Sequence, residues 1–240
     1  MAKKETEKAT KAEMEVGEFV SRSEKFIENN KKNITYGIIA IAVLIGAVLA
    51  YQNLYMKPKA KNAAVAIFKG EQYFMADSFN LALNGNGVDY DGFEYIISQY
   101  GGTKSANLAK AYAGICYFNM GDYDNAISTL KSFKSDDPNI SPAILGLIGD
   151  CYVESGVDKS GQVVVVTDDS KIREGISYFE KAVNQANDDF ISPIYLKKAG
   201  LAYENLKLYS DAVKIYTTIK EKHAASMEAG DIEKYIIRAQ

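Results

Sequence analysis

The stretch Tyr112-Ala-Gly-Ile-Cys-Tyr-Phe-Asn-Met-Gly-Asp-Tyr-Asp-Asn-Ala126 (YAGICYFNMGDYDNA) reads as the end of one helix, a three-residue break at Gly121-Asp122-Tyr123, and the start of another. Its landmarks recur. Gly114, Tyr117, Gly121, Tyr123, Ala126, Leu130, Phe133 and Pro138 fall at offsets 0, 3, 7, 9, 12, 16, 19 and 24. Gly200, Tyr203, Tyr209, Ala212, Tyr216 and Ile219 fall at 0, 3, 9, 12, 16 and 19, in the same register. Small residues at such positions let paired helices approach closely, and large ones fill the holes between neighbouring pairs.

A third copy lies between these two and is interrupted. Gly149, Tyr152 and Gly156 match the first helix and Gly175, Phe179 and Ala182 the second, with an insertion over residues 157–170 at the turn. The insertion contains four consecutive valines, Val163–Val166, which favour extended backbone over helix. It reads either as a surface loop ending in an Asp or Ser helix cap, or as a hairpin or exposed strand able to pair with a partner. Before the first full copy, Pro58 through Phe79 reads as one helix, Asn84–Gly92 as loop, and Phe93–Tyr100 as the partner helix. After the last copy, Met227 to Ala239 reads as a lone helix with Ile232, Tyr235 and Ile236 on the side that shields the last pair.

This pattern resembles the tetratricopeptide repeat, a 34-residue helix-turn-helix unit. The resemblance implies an α-solenoid of about three to four helix pairs with a capping helix, and with the single N-terminal transmembrane helix read from the apolar run below, the chain is expected to be all-α. Composition agrees with helices packed through mid-sized aromatics, since the 240 residues include 17 Tyr, no Trp and only 4 Pro.

Ile34 to Tyr51 carries no charge, and as a helix it would extend about 27 Å, enough for one crossing of a bilayer. Residues 34–55 are therefore read as a transmembrane helix, 1–33 as a cytoplasmic amphipathic segment and 56–240 as the repeat domain. Val48-Leu-Ala50 offers a small-residue cleavage pattern, but the preceding 33 residues carry seven glutamates and place Val16, Phe19, Val20, Phe26 and Ile27 on one helical stripe, which favours an uncleaved anchor. Arg22, Lys25, Lys31 and Lys32 before the span, against Lys57, Lys59 and Lys61 after it, place the N-terminus inside by a narrow margin.

Catalytic chemistry is scarce. The only histidine, His223, follows Glu221-Lys222 near the end of a repeat helix, a solvated position. One histidine and two cysteines do not supply four ligands at metal-binding spacing, and no glycine-rich phosphate loop follows a strand, so no metal or cofactor is expected. Cys116 and Cys151 sit at equivalent places on adjacent first helices, roughly 8–10 Å apart at their axes, which favours two buried thiols over a bridge needing about 7 Å or less. Outside residues 1–33 there are 20 basic and 24 acidic residues, too little positive charge for a nucleic-acid partner.

In the tetratricopeptide family the first helices line a concave groove. Carried over in register, the partner-binding positions are Phe118 and Asn119, then Asp150 and Glu154, then Lys197, Glu204 and Asn205. Ile194 and Leu201 stand where a clamp for a terminal carboxylate would place polar groups, so only Lys197 fits that specialised use. The whole layout, with its closing Glu228-Ala-Gly-Asp-Ile-Glu-Lys-Tyr-Ile236, also resembles the YfgM family of ancillary subunits of the SecYEG translocon. That resemblance implies a non-enzymatic adaptor in the bacterial inner membrane, its repeat domain periplasmic, that links the translocon to the PpiD-like membrane-anchored chaperone. A scaffold for cell-envelope or division assembly is the alternative.

Overall fold

The computed structural model describes the backbone of residues 2–161 and 164–240, with side chains from residue 25 onward. Two compact units divide at Pro58 and Lys59. In the first, helix α1 (Ala2–Tyr51) is followed by a π-helical turn at Gln52–Met56. α1 holds a run long and apolar enough to cross a membrane, and its large side chains from Ile38 to Leu49 are all more than half exposed. In the amphipathic stripe Phe26 and Ile27 are exposed, while Val16, Phe19 and Val20 lie outside the residues whose side chains are described.

The second unit is built from helices α2 (Lys57–Met75), α3 (Phe79–Asn84), α4 (Phe93–Gln99), α5 (Lys104–Asn119), α6 (Tyr123–Ser132), α7 (Ile140–Ser155), α8 (Asp169–Ala186), α9 (Ser192–Asn205), α10 (Tyr209–Lys222) and α11 (Ile232–Arg238). From α4 onward each helix packs on the next in sequence. Capping sets the boundaries: the Thr103 hydroxyl accepts the Ala106 N–H at α5, Asp122 accepts from Asn125 at α6, and Asp168 accepts from Ser170 and Lys171 at α8. The break after α5 is thus Met120–Asp122, one residue earlier than the pattern predicts, because Tyr123 already belongs to α6.

The same turn closes three helix pairs. The N–H groups of Ser78, Asp122 and Leu208 each donate to the carbonyl five residues back, at Tyr73, Tyr117 and Tyr203, all at 2.9 Å. The residue before each, Asp77, Gly121 and Lys207, has φ of 52°, 79° and 58° and donates three residues back. This is a Schellman C-terminus, and it reverses the chain with one left-handed residue. The turn at Asp77 corrects the expectation of a single helix from Pro58 to Phe79: α2 stops at Met75 and α3 starts at Phe79. Gly70, Tyr73, Phe79 and Ala82 then stand at offsets 0, 3, 9 and 12, so the opening unit carries the repeat register as well.

Close approach explains the recurrent glycine. A β-carbon on Gly149 would lie 2.6 Å from the Phe179 ring, and one on Gly114 or Gly200 would fall under 3.0 Å from Leu130 or Tyr216. At Gly70 the same space is filled by Phe93 and the Tyr90 hydroxyl. There the second helix is split into α3 and α4 by a loop over residues 85–92, in which the Asn86 carboxamide accepts the N–H groups of Val88, Asp89 and Tyr90. Position 12 is always small and shut away from water: Ala82, Ala126 and Ala212 are fully buried, and Gly175 abuts Val153 and the Gly149 carbonyl. The core accordingly forms a chain of clusters, each shared by adjacent elements, from Ile67, Phe93 and Ala113 through Leu130 and Ile148, then Ile172 and Phe179, to Tyr216, Ile219 and Ile232.

The insertion pairs with itself. Val157 and Asp158 (β1) lie antiparallel to Val165 and Val166 (β2), and the Gly156 carbonyl accepts the N–H groups of Thr167 and Asp168. Val157 and Val166 pack on the core beside Ile172, leaving Val164 and Val165 at the surface. Gln162 and Val163 of the valine run lie outside the described residues. At the C-terminal end the predicted helix from Met227 is shorter: a 3-10 turn at Glu228–Gly230 precedes α11, which buries Ile232 and Ile236. Tyr235, expected on the same side, is half-buried and meets the Tyr216 ring at 5.5 Å.

Candidate interaction surface

The seven positions carried over from the repeat register sit on α5, α7 and α9, and the structure gives most of their polar groups a partner within the chain. At the end of α5, the Phe118 ring is half-buried 5.8 Å from that of Tyr123. Asn119 is exposed, with its amide donating to the Ile115 carbonyl of its own helix at 2.8 Å.

On α7, Asp150 forms an ion pair with Lys198 of α9 at 2.5 Å. Only 24% of the Asp150 side chain is exposed, and this burial raises its pKa against the opposing pull of Lys198. Beside that link, Tyr195 of α9 occupies the space left by Gly146, and burial holds its hydroxyl up to about 12. One turn on, Glu154 faces Lys159 of the insertion at 2.6 Å, so this expected contact residue is engaged by the insertion itself.

On α9, Lys197 pairs with Asp231 at 2.7 Å and lies 4.4 Å from the centre of the Tyr235 ring. The hydrogen bond from Lys197 keeps the Asp231 carboxyl below its usual range. Glu204 accepts from the Tyr216 hydroxyl at 2.6 Å and from Arg238 at 2.7 Å, and Arg238 in turn covers the Tyr235 ring at 4.7 Å. Asn205 is half-buried at the last position of α9. Lys197 and Glu204 are therefore brought together through the C-terminal segment, Asp150 joins them only through the adjacent Lys198, and Phe118 and Asn119 stand apart.

Sequence reasoning missed Lys198, Asp231 and Arg238. The register selects one lysine of the Lys197-Lys198 pair and carries no information on the segment beyond the last repeat, where the two other partners reside. His223 also differs from expectation: it is only 15% exposed, and its Nδ1 lies 2.8 Å from Asp189. No nucleophile bonds to the His223 ring, and no cluster of metal-binding side chains occurs, among the described residues. Both cysteines are free and buried, in separate core clusters, and burial pushes each thiol up to about 12, out of reach of thiolate chemistry at neutral pH.

No curated protein matches the chain. A family profile described as tetratricopeptide repeat matches residues 112–139, which run from the middle of α5 through its Schellman turn and α6 to the start of the next pair. The chain therefore contains a tetratricopeptide repeat, a unit that typically serves non-catalytic protein–protein interaction.

Proposed function

We propose that this protein is a single-pass membrane adaptor whose residues 56–240 form a tetratricopeptide solenoid, with residues 34–55 in the lipid bilayer and 1–33 on the cytoplasmic side. The observation that carries the reading is the threefold recurrence of one Schellman turn in helices that pack in sequence order, behind a helix apolar enough to cross a membrane. Stacking of this kind builds an extended interaction surface from first helices, and the anchor restricts its partners to those at the membrane. On the YfgM-like layout, the repeat domain is periplasmic in the bacterial inner membrane and links SecYEG to a PpiD-like anchored chaperone. The groove positions Phe118, Asn119, Asp150, Glu154, Lys197, Glu204 and Asn205 are its contact surface.

The test is affinity purification of the tagged full-length protein from membranes in mild detergent, with mass spectrometry of the proteins that accompany it. Co-recovery of translocon subunits and an anchored periplasmic chaperone is expected, reduced by Asn119→Ala, an exposed position outside the core, and by Phe118→Ala once an unchanged thermal melt shows that the packing against Tyr123 is not what was lost. Good recovery of the bait with neither partner would overturn the export role and leave an envelope or division scaffold.

A further inference from the structure

A second candidate surface shares no lining residue with the seven groove positions. Two clefts, of about 770 and 420 Å³, share the wall formed by Phe133, Lys134 and Ser135 in the extended segment after α6. That wall is held in place by Asn107, whose side chain donates to the Lys134 carbonyl at 2.7 Å and accepts the Lys134 N–H at 3.1 Å. Four lysines line the two clefts, Lys104, Lys110, Lys131 and Lys134, against a single carboxylate, Asp136. Among the described residues none of the four forms an ion pair, whereas Lys159, Lys197 and Lys198 of the later repeats all do. Lys110 is directed onto the Ser132 carbonyl at the end of α6 and Lys131 onto the Tyr152 hydroxyl, while Lys104 and Lys134 are exposed.

This is a basic site, four lysines to one carboxylate, on a chain whose formal charge is -3. Between the lysines the lining mixes apolar and neutral polar groups, Ile97 and Leu108 with Asn107 in the larger cleft and Ile144 and Tyr178 with Ser141 in the smaller. We propose that these clefts bind an extended acidic polypeptide segment that carries carboxylate and apolar side chains on the same face. In extended backbone residues i and i+2 share a face, so such a segment sets an apolar side chain on the lining and the carboxylate beside it against a lysine. A lipid headgroup plane would not enter a recess between helices, and four lysines are too few for a nucleic acid to be held against the acidic remainder of the surface. The site stands independently of the concave groove, so either surface can fail without the other.

The probe is a fluorescein-labelled octapeptide of two Leu-Leu-Glu-Glu repeats, which carries both side chains on each face when extended, titrated by anisotropy with the full-length protein in mild detergent. Saturable binding is expected, weakening as salt rises and absent for the Leu/Gln counterpart. Lys104→Glu/Lys134→Glu should weaken binding by about tenfold or more and confer binding of the Leu/Lys peptide, since exchanging the sign exchanges the preference. An unchanged thermal melt of this double variant, and a smaller loss with Lys104→Gln/Lys134→Gln, separate charge from misfolding. No binding by the unaltered protein, or equal affinity for the Leu/Gln peptide, would overturn the proposal. So would displacement by inorganic polyphosphate or short-chain phosphatidylglycerol as efficient as by unlabelled peptide, since that would make the site a general anion sink.

Discussion

At Gly200 a single missing carbon sets the spacing of a helix pair, because any β-carbon there would enter the Tyr216 ring, which is itself completely buried. Gly200→Ala must displace a large aromatic from a filled core, a change that costs about 1–3 kcal/mol. Gly230→Ala, where a β-carbon meets nothing within 4 Å, should leave the urea midpoint nearly unmoved, and equal midpoints for the two variants would refute the close-approach account. Asp150 makes an opposite kind of argument. Its carboxyl is mostly covered, and burial raises its folded-state pKa despite Lys198, so the ionised form is disfavoured by folding. Stability from this residue is therefore lost as pH rises from the unfolded-state value of about 3.9 through the raised folded-state value. Asp150→Asn should be as stable as the parent protein or more so at pH 7, with the difference closing as the pH approaches 4, because Lys198 is exposed enough to return to water once its partner is neutral. A variant markedly less stable at pH 7 would show that the α7–α9 ion pair outweighs its desolvation.

The helix-turn element was largely legible in the sequence because its determinants are local: a glycine, an aromatic three residues on, a tight turn, then a small residue. Legibility failed where one landmark was replaced. Asp77 and Lys207 occupy the left-handed position that Gly121 fills in the middle turn, and a reader watching for glycine at the C-terminus of α2 runs that helix on into Phe79. It failed again at Gly70, whose aromatic partner Phe93 is delayed by the loop at 85–92. The expected groove positions could be numbered from the register, but their pairing with Lys159, Asp231 and Arg238 depends on where segments outside the repeats return to the helices, and the link from Asp150 to Lys198 on which of two adjacent lysines faces α7, neither of which the repeat pattern encodes. The shared turn also yields a prediction. A non-glycine residue in the left-handed region carries a steric cost that glycine avoids, so Lys207→Gly should stabilise the α9–α10 pair by about 0.5–1 kcal/mol. Chemical denaturation reads this directly, and a loss of stability would mean that the Lys207 side chain contributes more than its backbone strain removes.

Across the whole repeat unit, the clusters connect only to their neighbours, and the last is completed by Ile232 and Ile236 of α11 and Ala239 just after it, packed with Tyr216 and Ile219. A stack of this kind has nearest-neighbour cooperativity: damage at one end raises the opening of adjacent pairs before it reaches distant ones. Ile232→Ala removes most of a side chain that is only 2% exposed, at a cost of about 2–4 kcal/mol. Its effect on amide exchange should be graded, with protection falling most in α10 and α9, less in α8, and least in α5 and α6. Ile237→Ala, five residues further on and 65% exposed, is the matched control and should leave every helix as protected as before. Uniform loss of protection from α5 to α11 would mean that the helices open as one cooperative block, in which case the lysine-lined clefts at α5 and α6 would feel a lesion at the C-terminal end as strongly as one beside them. A graded loss instead makes the two proposed surfaces energetically separable, so that a partner bound near α9 and a segment bound beside α6 can each be removed by mutation without disturbing the other.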